Sequence, residues 1–439
     1  MAVSTPSSPS EACSFDHVYG SVVRPHFDQI DDQRAFNQSY TLSNCLRAGF
    51  SLYSLKAPSM LQFRTMAQAE EYNLGSIYGV GPIPSDTQFR EVLDGIDPDE
   101  LRGSFRRLFD HFSAQSTLRK AYFVWRDYTC LSIDGVEHFC SKKVSCKHCL
   151  TRKHRDGSTS HYHSMLSAAI VHPDRAEVFP LDHEPIVKED GAVKNDCERS
   201  AIQRQLNHLE QHYTDFKAIL TLDALYSCGP VIRRIEKVAH WRYMIGVKPK
   251  GNAYLFEQFD EAHNRDKVKC IDYLDEKGIE WHLGYINGVQ LNASAKDVKV
   301  NMLYARAPNA KGKELVFSFI TDITITADNF LQLLGIGRAR WKVENETFNT
   351  LKNQGYHFKH NYGHGEKHLS TVMAYLMMLA FWVDQLQQAA SGEFICLVQG
   401  LKTRVKLWDS LRAVMKILPM ASMREAYIKI ADMYCIRLI

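Results

Sequence analysis

Ala218-Ile219-Leu220-Thr221-Leu222-Asp223 is an apolar run of strand length that stops on a carboxylate, and its neighbourhood decides the fold. Upstream, Asp196 to His212 places apolar and charged residues at helical spacing. Downstream, Gly229 to Ala239 reads as a second helix and Trp241 to Val247 as another strand. Earlier still, Tyr122 to Phe139 is rich in Val, Ile, Tyr, Phe and Thr and contains Cys130-Leu131-Ser132-Ile133-Asp134-Gly135, while Ser164 to Phe179 holds a further strand. Strands first, then helix, strand, helix, strand, predict an α/β fold with a sheet covered by helices.

The regular alternation stops after Lys248. Tyr254 to Thr326 alternates polar and apolar residues between Gly, Asn and Asp turns, most clearly in Lys299–Ala305 and Glu314–Thr326, and reads as a mostly β insertion. Helical periodicity returns near Asp328. The expected divisions are a disordered terminus (1–14, rich in Ser and Pro), a helical N-terminal region (15–120), the first part of an α/β core (121–250), the β-rich insertion (251–326), the rest of the core (327–390) and a helical C-terminal region (391–439). Within 15–120, Ser85 followed by Gln88, and Asp97-Pro98-Asp99-Glu100, are capped helix starts. Arg102, Arg106 and Arg107 then crowd one side of the second helix, a face suited to DNA phosphates or simply a solvated basic one.

The chain has 439 residues, 45% apolar and 23% charged, which suits a globular protein of two or three domains. Its 53 Lys+Arg against 50 Asp+Glu leave a formal charge of +3, so a uniformly basic nucleic-acid coat is excluded and any such site is local. Eleven cysteines without a recognisable signal peptide predict reduced thiols in a cytoplasmic protein. The most apolar stretch, Val372 to Val383, is too short for a membrane span and reads as a core helix.

Asp134 and Asp223 stand where burial penalises a carboxylate unless it is paired or bound to a metal, and strand ends are where open α/β sheets put their sites. The alternative for each is a turn or a helix cap. The third acid lies in Arg340-Trp341-Lys342-Val343-Glu344-Asn345-Glu346. On an α-helix Arg340 and Glu344 are adjacent, so the guanidinium is expected to orient that carboxylate, while Glu346 points about 200° away. Asp182, Glu184 and Asp190 fall in a turn-rich segment and receive no catalytic role. Asp196 reads as a helix cap with Glu198 in the first turn.

The order Ile133-Asp134-Gly135, Leu222-Asp223-Ala224-Leu225-Tyr226, a long β insertion and Arg340-Trp341-Lys342-Val343-Glu344 resembles the DDE transposases of bacterial insertion sequences, within them the IS-four superfamily. Asp196-Cys197-Glu198, Thr321-Asp322 and Gly355-Tyr356 through His360 to Gly363-His364-Gly365 fit the same resemblance, which spans Ser85 to Phe381. The family signature is Tyr, two residues, Arg, three residues, Glu, six residues, Lys. Arg340 and Glu344 match it. Gly337 stands in the Tyr position and Leu351 in the Lys position, with Lys352 one residue late, so Glu346 stays as the alternative acid.

The resemblance implies a ribonuclease-H-like catalytic core, a mixed sheet flanked by helices over 121–250 and 327–390, a DNA-binding role for the helical region 15–120, and a DNA transposase that cleaves at the ends of a mobile element and joins them to target DNA. Asp134, Asp223 and Glu344 would be catalytic and hold two Mg²⁺ (or Mn²⁺) ions, Asp134 bridging both. Arg340, Lys352, Lys359, His360 and His364, with Arg102 and Arg106, would contact double-stranded DNA. A homodimer in the synaptic complex, no membrane partner, and a bacterial, nucleoid-associated cytoplasmic location follow. The alternatives are a metal nuclease of this fold without strand transfer, and a domesticated, inactive DNA-binding protein.

A second constellation is Cys140-x5-Cys146-x2-Cys149 followed by His154, His161 and His163. Cys146 and Cys149 share one tight turn, and His161 and His163 alternate along a strand, so the four make a candidate structural Zn²⁺ site, with Cys140 and His148 as spares. Unligated cysteines in a β-hairpin are the alternative. His357, His360, His364 and His368 follow the Glu helix, in a DNA-facing loop or at a solvated helix start.

Overall fold

The computed structural model describes residues 8–34, 38–188, 194–309 and 312–438, the side chains of 69 and 194–196 excepted. Its centre is one mixed sheet of eleven strands: β1 (Phe123–Trp125), β2 (Tyr128–Ser141), β3 (Leu150–Lys153), β4 (Thr159–Val171), β5 (Phe179–Ile186), β6 (Ala218–Leu222), β7 (Trp241–Gly246), β8 (Lys269–Leu274), β9 (Glu280–Gln290), β10 (Lys299–Pro308) and β11 (Glu314–Thr321). The strand order is β3-β4-β2-β6-β7-β11-β10-β9-β8, with β5 also on β4 and β1 on β2. Within it, β5-β4-β2 is antiparallel and β2-β6-β7 is parallel. This is the expected α/β arrangement, a mixed sheet flanked by helices. The central parallel strand β6 has parallel neighbours on both sides, and all five of its residues, four of them apolar, are buried.

The insertion differs from expectation in two ways. It opens with a helix, Ala253–His263, whose Leu255, Phe259 and Ala262 are buried at helical spacing amid charged residues. Its four strands extend the main sheet, because β11 pairs antiparallel with β7 (Phe319 opposite Gly246, Thr321 opposite Met244). Strand β7 therefore has no free edge, which removes a liability of open sheets.

The helices from both ends of the chain share one apolar core with the sheet. Helix Leu369–Ala390 runs through it; by length and composition it could cross a membrane, yet its apolar window is wholly buried in the protein. Helix Leu42–Ser54 packs against it. Lys56 pairs with Asp384 of the long helix, Asn73 Nδ2 donates to Met415 O (2.7 Å), and Asp16 accepts the Met423 and Arg424 amides (2.8 Å each). Of the terminus expected to be disordered, 1–7 lie outside the described residues. Ser8 instead caps the turn Pro9–Ala12, and Cys13 is buried.

The capped starts are present: Ser85 accepts the Gln88 amide at the head of Asp86–Asp94, and Asp97 accepts the Asp99 amide ahead of Asp99–Ala114. Asp182 and Glu184 lie on β5 and not in a turn, and both are buried. Asp190 and the Asp196 side chain lie outside the described residues.

Candidate active site

Asp134 and Asp223 are set by the register of adjacent parallel strands. The last β2–β6 pair is Ser132 opposite Thr221, and each acid lies two residues beyond it, Asp134 midway along β2 where the parallel pairing stops and Asp223 just past the carboxyl end of β6. Antiparallel pairing of β2 with β4 continues, placing Asp134 opposite Ser167. It is interrupted at His138, where two β2 residues face one on β4, a bulge beside the site.

The third acid arrives on an interrupted helix. Phe330–Ala339 is α-helical, the hydrogen-bond ladder slips to i→i−3 around Arg340 although its dihedrals stay helical (φ −49, ψ −40), and Val343–Phe348 forms a wide π-helical turn before Asn349–Asn353. The rotation of 100° per residue assumed from sequence fails across such a break, and so does the expected Arg340–Glu344 pairing. Arg340 reaches Asp134 instead, Nη1 to Oδ2 at 3.0 Å, while Ser132 Oγ donates to the Arg340 carbonyl at 3.1 Å. Side chain and backbone of one residue thus dock the Glu-bearing helix onto β2.

Asp134, Glu137 and His138 of β2 line a cleft of about 550 Å³ together with Glu344, Lys352, Lys359 and His360. Three of the expected DNA contacts therefore share a cavity with two of the expected acids. Asp223 is not among its lining residues; its Oδ1 accepts the Leu225 amide at 2.8 Å, the capping role foreseen as the alternative. Its charge nevertheless reaches Asp134. Burial pushes the Asp134 carboxyl up, Arg340 and the Gly135 amide pull it down, and Asp223 and Glu344 push it up again. Crowded, partly desolvated carboxylates of this kind are the setting in which a bound cation relieves both repulsion and desolvation.

Glu198, read from sequence only as a first-turn acid, stands beside this group. A Cβ placed on Gly135 would lie 3.3 Å from Glu198 Oε1, and burial together with the charges of Glu198, Asp223 and Asp134 drives the Tyr226 hydroxyl far above its ordinary range. The signal available beforehand was its place in helix Lys194–His212, which lies in sequence between the two Asp-bearing strands and packs on β5 and β4.

Two expected DNA contacts are corrected. Arg102 is buried and faces Asp182 (3.7 Å) and Glu184 of β5, so it is part of the protein interior; Arg106 is exposed. His364 is also buried, with its Nε2 3.2 Å from Cys149 Sγ. Cys146, Cys149 and His163 converge as expected, but His364 occupies the fourth place that was assigned to His161. His161 lies one pleat further toward the β3–β4 turn, opposite Thr151.

The chain matches no protein-family model and no curated protein. Among solved structures it is similar to one titled "Cryo-EM structure of piggyBac transposase synaptic complex with hairpin DNA", at 10% identity and a TM-score of 0.42, over 97% of this chain and 80% of that one.

Proposed function

We propose that this chain is a DNA transposase that cuts double-stranded DNA at the ends of a mobile element and transfers the ends to a target, with Asp134, Asp223 and Glu344 as its acids. The observation that carries the reading is the shared cleft: Asp134 and Glu344 face the same space as Lys352, Lys359 and His360, and the charge of Asp223 acts on Asp134. Hard carboxylate oxygens suit Mg²⁺ or Mn²⁺, and the raised proton affinity of Asp134 marks a site that gains from positive charge. When bound, two such ions supply activation of the attacking oxygen and stabilisation of the leaving one. The chain's own part is to position: Arg340 fixes the Asp134 carboxylate, and the Lys352 and Lys359 ammonium groups hold phosphates across the cleft. Synapsis of two ends calls for two copies of the chain.

Cleavage of a supercoiled plasmid carrying the element with its native flanks tests this, with Mg²⁺ or EDTA. Metal-dependent release is expected from the wild type and Glu346→Gln, and none from Asp134→Asn, Asp223→Asn or Glu344→Gln. Full activity in the Asp134 and Asp223 variants overturns the mechanism. Cutting without joined products reduces the reading to a nuclease, and tight end binding with no cutting reduces it to a DNA-binding protein.

A further inference from the structure

We infer that Cys146, Cys149, His163 and His364 form a structural zinc site that clamps the two walls of the catalytic cleft together. Tetrahedral zinc with bonds of about 2.3 Å to sulfur and about 2.05 Å to nitrogen requires its ligands to stand about 3.8 Å (S to S), about 3.5 Å (S to N) and about 3.3 Å (N to N) apart. Here Cys146 Sγ and Cys149 Sγ are 3.8 Å apart, His163 Nε2 is 3.5 Å from each, Cys149 Sγ to His364 Nε2 is 3.2 Å, and the two Nε2 atoms are 3.2 Å apart. The remaining separation is within 4.8 Å. Hydrogen bonds in pairs do not require four atoms to surround one point; ligation does.

The surroundings are built for it. Cys146 and Cys149 flank the turn leading into β3, Cys149 and His364 are buried and His163 half-buried, and the Phe139 ring lies 4.4 Å from that of His364. His364 is presented by a rigid support. Gly365 has φ +68, where a Cβ would collide with Asp94 Oδ1 at 2.1 Å, so only glycine fits. The Asp94 carboxylate accepts the amides of Glu366, Lys367, His368 and Leu369 at 2.9–3.0 Å, capping the long helix just beyond. A loop anchored in this way holds the imidazole in place before any metal binds.

Its location gives the site a consequence. The cysteines continue from β2, whose Asp134 to Cys140 line one wall of the cleft; His364 follows Lys359, His360 and Asn361, which line the other. Zinc would join those walls across a separation of some 200 residues in sequence, |i−j| being 215 for Cys149 and His364.

The metal content of the purified full-length protein, measured by elemental mass spectrometry, tests the site without reference to catalysis. One zinc per chain is expected in the wild type, in His161→Ala and in Glu344→Gln, and at least a tenfold lower content in Cys149→Ser and His364→Ala. Independently of how those two variants fold, the wild type stripped of metal and titrated with Co²⁺ supplies the second measurement: a tetrahedral thiolate absorption saturating at one equivalent is expected. Zinc-free wild type that also takes up no Co²⁺, or zinc lost from His161→Ala and kept in His364→Ala, overturns the site. Amide exchange of Tyr356–Gly363 should accelerate at least tenfold on stripping; unchanged exchange overturns the clamp. Loss of cleavage in Glu344→Gln with zinc intact separates this inference from the transposase reading.

Discussion

Arg340 Nη1 donates to Asp134 Oδ2 across 3.0 Å, joining the helix that carries Glu344 to the strand that carries the first acid. The two side chains are mostly shielded, 15% and 25% exposed, so water screens the pair little. Charge-assisted bonds of this kind contribute about 1.5–3 kcal/mol. Arg340→Ala should therefore slow metal-dependent cleavage about ten- to hundredfold, and Arg340→Lys, which keeps the charge but not the fork, should recover part of that. Unaltered rates in Arg340→Ala would show that Asp134 needs no such support.

Gly337 occupies the place where the resembling family carries Tyr, and the sheet beneath it supplies the reason. A Cβ there would meet three ring carbons of Phe319 on β11 at 2.8–2.9 Å. Helix Phe330–Ala339 lies that close because the insertion strands pass directly under it. Gly337→Ala should overpack this contact and lower stability by about 1–3 kcal/mol, read as a reduced urea midpoint with unchanged slope. Phe319→Leu should recover much of the loss, which an effect confined to helix propensity would not allow.

The α/β frame was legible because β6 and β7 are short apolar runs separated by an amphipathic helix, and because Asp134 and Asp223 each close such a run. The helix Ala253–His263 was not, since its apolar residues sit among enough polar ones to pass for strand alternation. Helical spacing also treats every Arg alike, so it cannot separate Arg102, covered by β5, from Arg106, which is exposed. Nor does local spacing reveal the slip at Arg340 or the π-helical turn after it; both depend on what the helix docks against. His364 was assigned to DNA because its partners Cys149 and His163 are distant in sequence and brought near only by the fold.

Arg102 separates an interior role from a DNA-binding one. Its guanidinium faces Asp182 and Glu184, Arg204 Nε also bonds Glu184 (2.6 Å), and His208 Nδ1 lies 3.1 Å from Asp182. Removing one charge from a buried network leaves the others unpaired, at a cost of about 3–5 kcal/mol. Arg102→Met is expected to lose that much stability in denaturant titration, whereas the exposed Arg106→Ala should change by less than about 0.5 kcal/mol. Equal stability of the two variants would return Arg102 to the surface.

His183, next to that network, makes folding sensitive to acid. It is fully buried with both ring nitrogens unpartnered, its ring edge-on to Phe105 (4.7 Å) and tilted against Tyr375 (5.4 Å). Burial holds its pKa down to about 3, although the adjacent Asp182 pulls it up. The unfolded chain, with an ordinary histidine near 6.5, takes up a proton that the folded site refuses. The folded state is thus unaffected by this group above about pH 6.5 and is penalised progressively as pH falls toward 3, by about 1.4 kcal/mol per pH unit. His183→Phe replaces the ring by one with no proton to accept. Between pH 6.5 and 5 this variant should lose about 2 kcal/mol less stability than the wild type in urea titrations, and identical pH slopes would show that His183 titrates normally in the fold.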